Sequence, residues 1–509
     1  MRMRTLYRGG TVYSPADPRA TALLVSAGTV EWLGPDAEAP AADEVVELAG
    51  AVLTPAFVDA HVHSTDTGLA LTGLNLAGTR SAGEVLDAVA GVAATLPADG
   101  VVIGHGWDES GWPDRRPPDA AALDRAAGGR WVYLAQASMH STAVSAALLA
   151  ATPQAASTPG FDPSGWLRRD AHHVVREAAL RSVGPAQRRA AQLSTLEHAA
   201  SLGIASIHEC GGPGTSGEDD LTGLLALSAA GGVPEVYGYW GELGAVAKAR
   251  ALGAVGAGGD LYADGALGSQ TAHLREPYLD ADGGSGHGYL TAEQVTGHLV
   301  ACTREGMQGG FHAIGDAAIG TVLDGFAGAA ATVGLDRLRA GRHRIEHVEI
   351  VDRDLIRRLV SFGVVASVQP AFDRLWGGEH SMYAVRLGVD RSLASNPFAA
   401  MAGVGVTLAF GSDSPVTPLD PWGSVRAAMN HHNPAQRISA RKAFAAHTRG
   451  GWRAAHRDAE GVLAPGAAAT FAVWDAPAGV TSGLPTIGTD LPLPVCRRTV
   501  LHGMVIFDG

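Results

Sequence analysis

The stretch Thr54-Pro-Ala-Phe-Val-Asp-Ala-His61-Val-His63 decides how the fold is read. A short apolar run, Ala51 to Val58, leads into two histidines spaced i and i+2. Residues two apart on a strand share a face, so both imidazoles leave the strand's end in one direction. Two neutral imidazoles aimed at one point suit a divalent metal such as zinc. By itself such a pair is weak, because most are incidental. Its weight comes from what the rest of the chain places beside it.

Downstream of His63 the apolar, strand-like runs recur: Ile204 to His208, Glu235 to Tyr239, Asp260 to Asp264, Gly310 to Ile314, Arg344 to Val348, Val364 to Gln369 and Leu408 to Asp413. With Leu53 to Asp59 they number eight, and amphipathic segments such as Pro185 to Leu202 and Ala317 to Leu335 lie between most of them. Alternation of this kind predicts an α/β protein, a (β/α)8 TIM-type barrel. Residues 53–461 hold it. The first gap, about 64–203, is too long for one crossover and carries strand signals of its own, so it reads as a long insert after strand one that covers the barrel mouth. Short β segments at both ends, with Gly9-Gly10 and Ala27-Gly28 read as hairpin turns, are expected to combine residues 1–52 and 462–509 into one small β-sandwich.

Side chains at the C-terminal ends of barrel strands converge on one site. The polar residues there are His61 and His63 on strand one, His312 on strand five, His347 on strand six and Asp413 on strand eight. Each alone is most simply a hydrogen-bonded structural residue or, for Asp413, a turn residue. Four histidines and an aspartate at the ends of four strands point instead to a metal site.

These residues also carry a family resemblance. Thr54 to His63, Gly104-His-Gly-Trp-Asp108, Ala263-Asp-Gly-Ala-Leu-Gly-Ser269, His312-Ala-Ile-Gly-Asp316, Arg344-Ile-Glu-His347, Gly411-Ser-Asp-Ser-Pro415 and Gly461-Val-Leu-Ala-Pro-Gly466 resemble the amidohydrolase superfamily, in its amidohydrolase family 3 branch. The resemblance runs nearly end to end. It implies His61, His63, His312 and His347 as metal ligands, and Asp413 as a ligand that also moves the proton. Two-metal members of the family carry a carboxylated lysine on strand four, where this chain has Asp260. An aspartate is several bonds shorter, so it cannot bridge unless the strand moves inward. Asp264, on the same strand face, is a rival. The expectation favours one metal on His61, His63, His312 and Asp413, with His347 orienting water or substrate. The other arrangement brings Asp260 into a two-metal centre.

The chemistry that follows is metal-activated hydrolysis of a non-peptide C–N bond in an amide, N-acyl, formamide or cyclic amide, with Asp413 and His347 as catalytic groups. A heterocycle deaminase on the same fold is the alternative. An inactive metal-binding or regulatory protein is the alternative of another class. Trp107, Asp108 and His140 in the insert are the expected substrate contacts, and His208 is a further candidate.

Composition bounds the partners. A net charge of −13 without a dense basic run argues against nucleic acid. The apolar stretches are too short to span a bilayer, and no signal peptide is legible. The three cysteines show no CxxC spacing. A cytoplasmic enzyme with a small-molecule substrate is expected, with a homodimer suggested by the resemblance alone.

Overall fold

Between Pro55 and Phe57 the chain leaves one sheet and enters another, in a computed structural model that describes residues 3–97, 99–136, 141–213, 215–281 and 283–509. The single strand expected over Leu53 to Asp59 is therefore two. Val52–Pro55 pairs with Thr11–Val12 on one side and Phe471–Asp475 on the other, inside the sandwich. Phe57–Val62 is barrel strand one. The break is held by Trp474, whose indole N–H donates to Thr54 Oγ1 at 2.9 Å. Phe57 packs edge-on against Trp422, Phe444 and Trp474, with ring centroids 5.0, 5.2 and 5.6 Å away. Its burial alone is worth roughly 1.5–3 kcal/mol.

The sandwich is built from both ends of the chain. One sheet holds Thr29–Gly34, Ala22–Ser26, Arg4–Arg8 and Glu44–Glu47. The other runs Thr11–Val12, Val52–Pro55, Phe471–Asp475, Val495–Leu501 and Met504–Asp508. Tyr7, Leu23, Val30, Leu53, Phe471 and Val473 fill the space between them. Ala27-Gly28 is a hairpin turn as expected. Gly9-Gly10 is not: it carries the chain from Arg8 in the first sheet to Thr11 in the second.

The barrel strands follow in sequence order, each parallel to its neighbour: Phe57–Val62, Ile204–Gly211, Glu235–Trp240, Gly256–Ala257, Gln308–Ala313, Arg344–His347, Val365–Val368 and Thr407–Phe410. Strand eight returns to strand one through a parallel bridge between Val62 and Ser414. His63 N donates to Ser414 O at 2.9 Å and Asp413 N to His61 O at 2.8 Å. Outer helices include Ala292–Glu305, Asp316–Val333 and Arg353–Phe362.

Strand four departs from its sequence reading. The ladder is confined to Gly256–Ala257, and Asp260 to Asp264 lies beyond it. Asp260 to Asp264 instead runs beside strand five, with Ala263 N donating to His312 O at 2.8 Å and His312 N to Leu261 O at 3.0 Å.

Residues Ser64–Thr195 form a separate compact unit. Its sheet runs Trp166–Arg168, Ser141–Val144, Val132–Gln136, Val102–Trp107 and Leu74–Asn75, over a core of Val85, Trp107, Leu123 and Leu134. The insert expected to end near residue 203 ends, as a unit, at Thr195. Among the described residues no helix is long and apolar enough to cross a membrane.

Candidate metal centre

Asp260 sits in the middle of the four histidines. Its Oδ1 lies 3.5 Å from His61 Nε2, 3.5 Å from His312 Nδ1 and 3.9 Å from His347 Nε2. Its Oδ2 lies 3.2 Å from His63 Nε2. Asp413 Oδ1 faces the strand-one pair, 3.5 Å from His61 Nε2 and 3.2 Å from His63 Nε2. Among the described residues the ligand atoms form four overlapping groups: two share Asp260, one with His61 and His63 and one with His312 and His347, a third joins His61, His347 and Asp413, and a fourth His61, Cys210 and Glu346. All the strand-end residues singled out by sequence are therefore together, and Asp260 joins them.

The reach of the short aspartate has a backbone cause. After Ala257 the chain turns through Gly258 (φ +156°) and Gly259 (φ +79°), conformations that a side chain disfavours. A Cβ on Gly258 would stand 2.2 Å from the Gly310 nitrogen, so strand four passes against strand five at a distance only glycine permits. That inward step carries Asp260 to the centre. Asp264 is held elsewhere, accepting from His273 N at 2.8 Å, Ile314 N at 3.0 Å and Gly315 N at 2.8 Å. It ties the loop after strand four to the end of strand five. Lys248 is engaged with Glu218 and Glu242, so no lysine stands in for the bridge there.

The far nitrogen of three of the rings is fixed, which aims the near one. His61 Nδ1 lies 2.9 Å from Glu346 Oε2, His347 Nδ1 2.8 Å from Gln369 Oε1, and His312 Nε2 3.2 Å from Gly265 O. This is the way metal-bound imidazoles are usually oriented. Glu346 is gripped in turn by Arg344, Nε to Oε1 at 2.5 Å and Nη2 to Oε2 at 2.8 Å. Arg344 also donates to Ala60 O and Ser367 Oγ and approaches His208 Nδ1 at 3.0 Å. His208, expected as a possible substrate contact, is thus a buried acceptor beneath the site. Burial and Arg344 keep its imidazole well below the ordinary histidine range.

Arg344 and Glu346 stand in the quoted Arg344-Ile-Glu-His347 motif. Their signal is the i, i+2 spacing, which turns both into the barrel interior. His347 should then point the opposite way. It joins the centre because its backbone is left-handed, φ +71°, and Asp413 sits likewise at φ +57°. Non-glycine residues held there carry strain of the kind found at functional sites.

Electrostatically the cluster calls for a cation. Burial works against a proton on His63 and on His312, yet the carboxylates of Asp260 and Asp413 beside the first, and of Asp260 beside the second, outweigh it and hold both above the ordinary histidine range. Burial would raise Asp260, and the surrounding imidazoles hold it well below the usual carboxylate range. Among the described residues, His61 Nε2, His312 Nδ1 and Asp260 Oδ1 are buried without a hydrogen-bond partner. Each such orphan costs about 1–3 kcal/mol. Three directed at one place, from nitrogen and oxygen donors, fit a divalent metal.

Of the substrate contacts expected in the insert, Trp107 is fully buried in that unit's core, and its indole N–H donates to Leu134 O at 2.8 Å. That is a packing role. Asp108 is exposed. His140 lies outside the described residues.

With the geometry in place, comparison with known proteins places the chain among relatives. The sequence model of the amidohydrolase family matches residues 44–507. The chain is 26% identical to the putative amidohydrolase YtcJ of Bacillus subtilis (strain 168), over 99% of this chain and 100% of that protein. It is 27% identical to the protein LONG AFTER FAR-RED 3 of Arabidopsis thaliana, over 84% of this chain and 80% of the relative. Among solved structures, an uncharacterized metal-dependent hydrolase from Pyrococcus furiosus superposes with a TM-score of 0.77 at 25% identity, covering 92% of this chain and 98% of the other.

Proposed function

The chain belongs to the amidohydrolase family, and from that premise we propose that it hydrolyses a non-peptide carbon–nitrogen bond of a small molecule, using two divalent metal ions. Zinc suits the donors best. The observation that carries the reading is the sharing of Asp260 between the two histidine sets. His61, His63 and Asp413 would hold one ion, His312 and His347 the other, and Asp260 both. In this reading His347 is a ligand rather than a residue beside the substrate.

The metal, when bound, acidifies water toward a pKa of about 7 and polarises the substrate carbonyl. The protein's own part lies in the carboxylates. Asp413, on the same edge as the partly open His63, takes the proton of the attacking water and returns it to the leaving nitrogen. Glu346, Gln369 and the Gly265 carbonyl keep His61, His347 and His312 aimed, so no ring has to reorient during the reaction.

The test is metal content per chain after purification without chelators, followed by a screen of N-acyl, formamide and cyclic amide substrates. About two ions and turnover are expected, with Asp413→Asn keeping most of the fold and, when saturated with zinc, losing on the order of 10²- to 10⁴-fold in kcat, the usual worth of a general acid–base group. One ion per chain with heterocycle deamination would replace this reading. No metal, even after zinc is added, would turn it toward a regulatory protein on an enzyme scaffold.

A further inference from the structure

Asp260 and Tyr262 sit two residues apart beside strand five, and Tyr262 is tied there. A parallel bridge joins it to His312, and its ring lies against the His312 imidazole with centroids 4.8 Å apart. The backbone and the ring are thus fixed, but the hydroxyl is not. Its oxygen stands 3.5 Å from Asp260 Oδ2, at the outer limit of a hydrogen bond. The residue is 36% exposed.

That exposure exceeds that of any of the four histidines. The His61, His312 and His347 side chains are 0%, 8% and 3% exposed, against 17% for His63. Tyr262 meets Asp260 on Oδ2, the oxygen that also faces His63, while Oδ1 faces the buried rings. Around Asp260, His63 and Tyr262 are therefore the more exposed groups. Carboxylate oxygens such as those of Asp260 and Asp413 accept, and the far nitrogens of His61, His312 and His347 are already engaged. Hydrolysis of an amide develops negative charge on the carbonyl oxygen, which a preorganised donor stabilises.

We propose that Tyr262 is a catalytic residue whose O–H donates to that oxygen, an inference that rests on the hydrolytic reading above. As the water oxygen bonds to the carbonyl carbon, the C=O π pair moves onto the oxygen and Asp413 takes the water proton. Tyr262 keeps its own proton and shares it in a hydrogen bond. When the C=O reforms, the C–N bond breaks with its pair going to nitrogen, and Asp413 protonates that nitrogen.

The experiment compares zinc-loaded wild-type protein with Tyr262→Phe, reading zinc per chain, thermal midpoint, methylphosphonate affinity by calorimetry, and kcat and KM on any amide the wild type turns over. Methylphosphonate is the probe because it presents tetrahedral anionic oxygens. The expected result is unchanged zinc content, methylphosphonate bound about 10-fold or more weakly, and kcat lower by on the order of 10²- to 10³-fold with KM within about twofold. Equal methylphosphonate affinity and equal kcat in the two proteins would overturn the role of Tyr262 while leaving the hydrolase reading intact. Loss of zinc in the variant would also overturn it, making the tyrosine a support for Asp260. Wild-type protein that holds zinc but neither binds methylphosphonate nor cleaves any amide would overturn the hydrolase reading, and the tyrosine's role with it.

Discussion

Replacing Glu346 by glutamine keeps the volume of the side chain and removes one negative charge from beneath the metal centre. Three hydrogen bonds are affected: 2.5 and 2.8 Å to Arg344, and 2.9 Å to His61 Nδ1. All three side chains are fully buried. Burial would raise the Glu346 carboxyl, and Arg344 with His61 outweighs it, holding it well below the usual carboxylate range. The glutamine amide has one oxygen for donors that now occupy two, so an N–H must face an N–H of Arg344 or His61. Arg344 keeps Ala60 O, Ser367 Oγ and His208 but loses its only charged hydrogen-bond partner among the described residues. Removing one member of a buried pair costs roughly 3–5 kcal/mol. Loss of the carboxylate that orients His61 weakens metal binding by about 10- to 100-fold, or about 1.4–2.7 kcal/mol. Urea unfolding of the metal-free protein reads the first effect, and zinc titration against a competing chromogenic chelator reads the second. A second variant, Arg344→Met with Glu346→Leu, separates them: an apolar pair should recover stability but not zinc affinity. Zinc affinity within twofold of wild type in Glu346→Gln would refute the positioning role.

Asp260→Ala is expected to lower bound zinc from about two ions per chain to one or fewer, because both histidine sets use that carboxylate; elemental analysis showing undiminished zinc would refute the bridge. Stability should fall on mild acidification, in part through His343. Burial pushes its pKa down to about 3, with His298 and His456 adding to the effect, against an ordinary value near 6.5. Between those values the unfolded chain takes up a proton that the folded one refuses, so stability is full above pH 6.5 and declines as pH falls. From pH 7 to pH 5 this one group contributes about 2 kcal/mol of loss. Urea titrations of wild type and His343→Asn at the two pH values check it, and an unchanged difference between them would remove His343 from the account.

Much of the centre is legible in the sequence. His61 and His63 share a face because a strand has period two, and His312, His347 and Asp413 each end an apolar run before a turn. Barrel topology then brings strand ends together, so a linear pattern sufficed to collect five of the six ligand candidates. The same local logic located sandwich strands at both ends of the chain, Val12 and Phe471 among them, but assigned Leu53 to the barrel. It failed where two distant backbones meet. Whether Asp260 can reach the centre depends on the clearance between Gly258 and Gly310, residues 52 apart in the chain, and no local pattern encodes a distance of that kind. Trp107, aromatic and beside a Pro-rich loop, looked like a ligand contact and is core, because burial depends on what packs over a residue. Glu346 stood in plain view within a motif, but its meaning needed Arg344, His61 and Ala60 around it. By itself the sequence determined the periodicities, the punctuation between elements and hence which residues end the strands. Only the tertiary structure decided which of those residues share an atom's neighbourhood, since that follows from close packing between segments far apart along the chain.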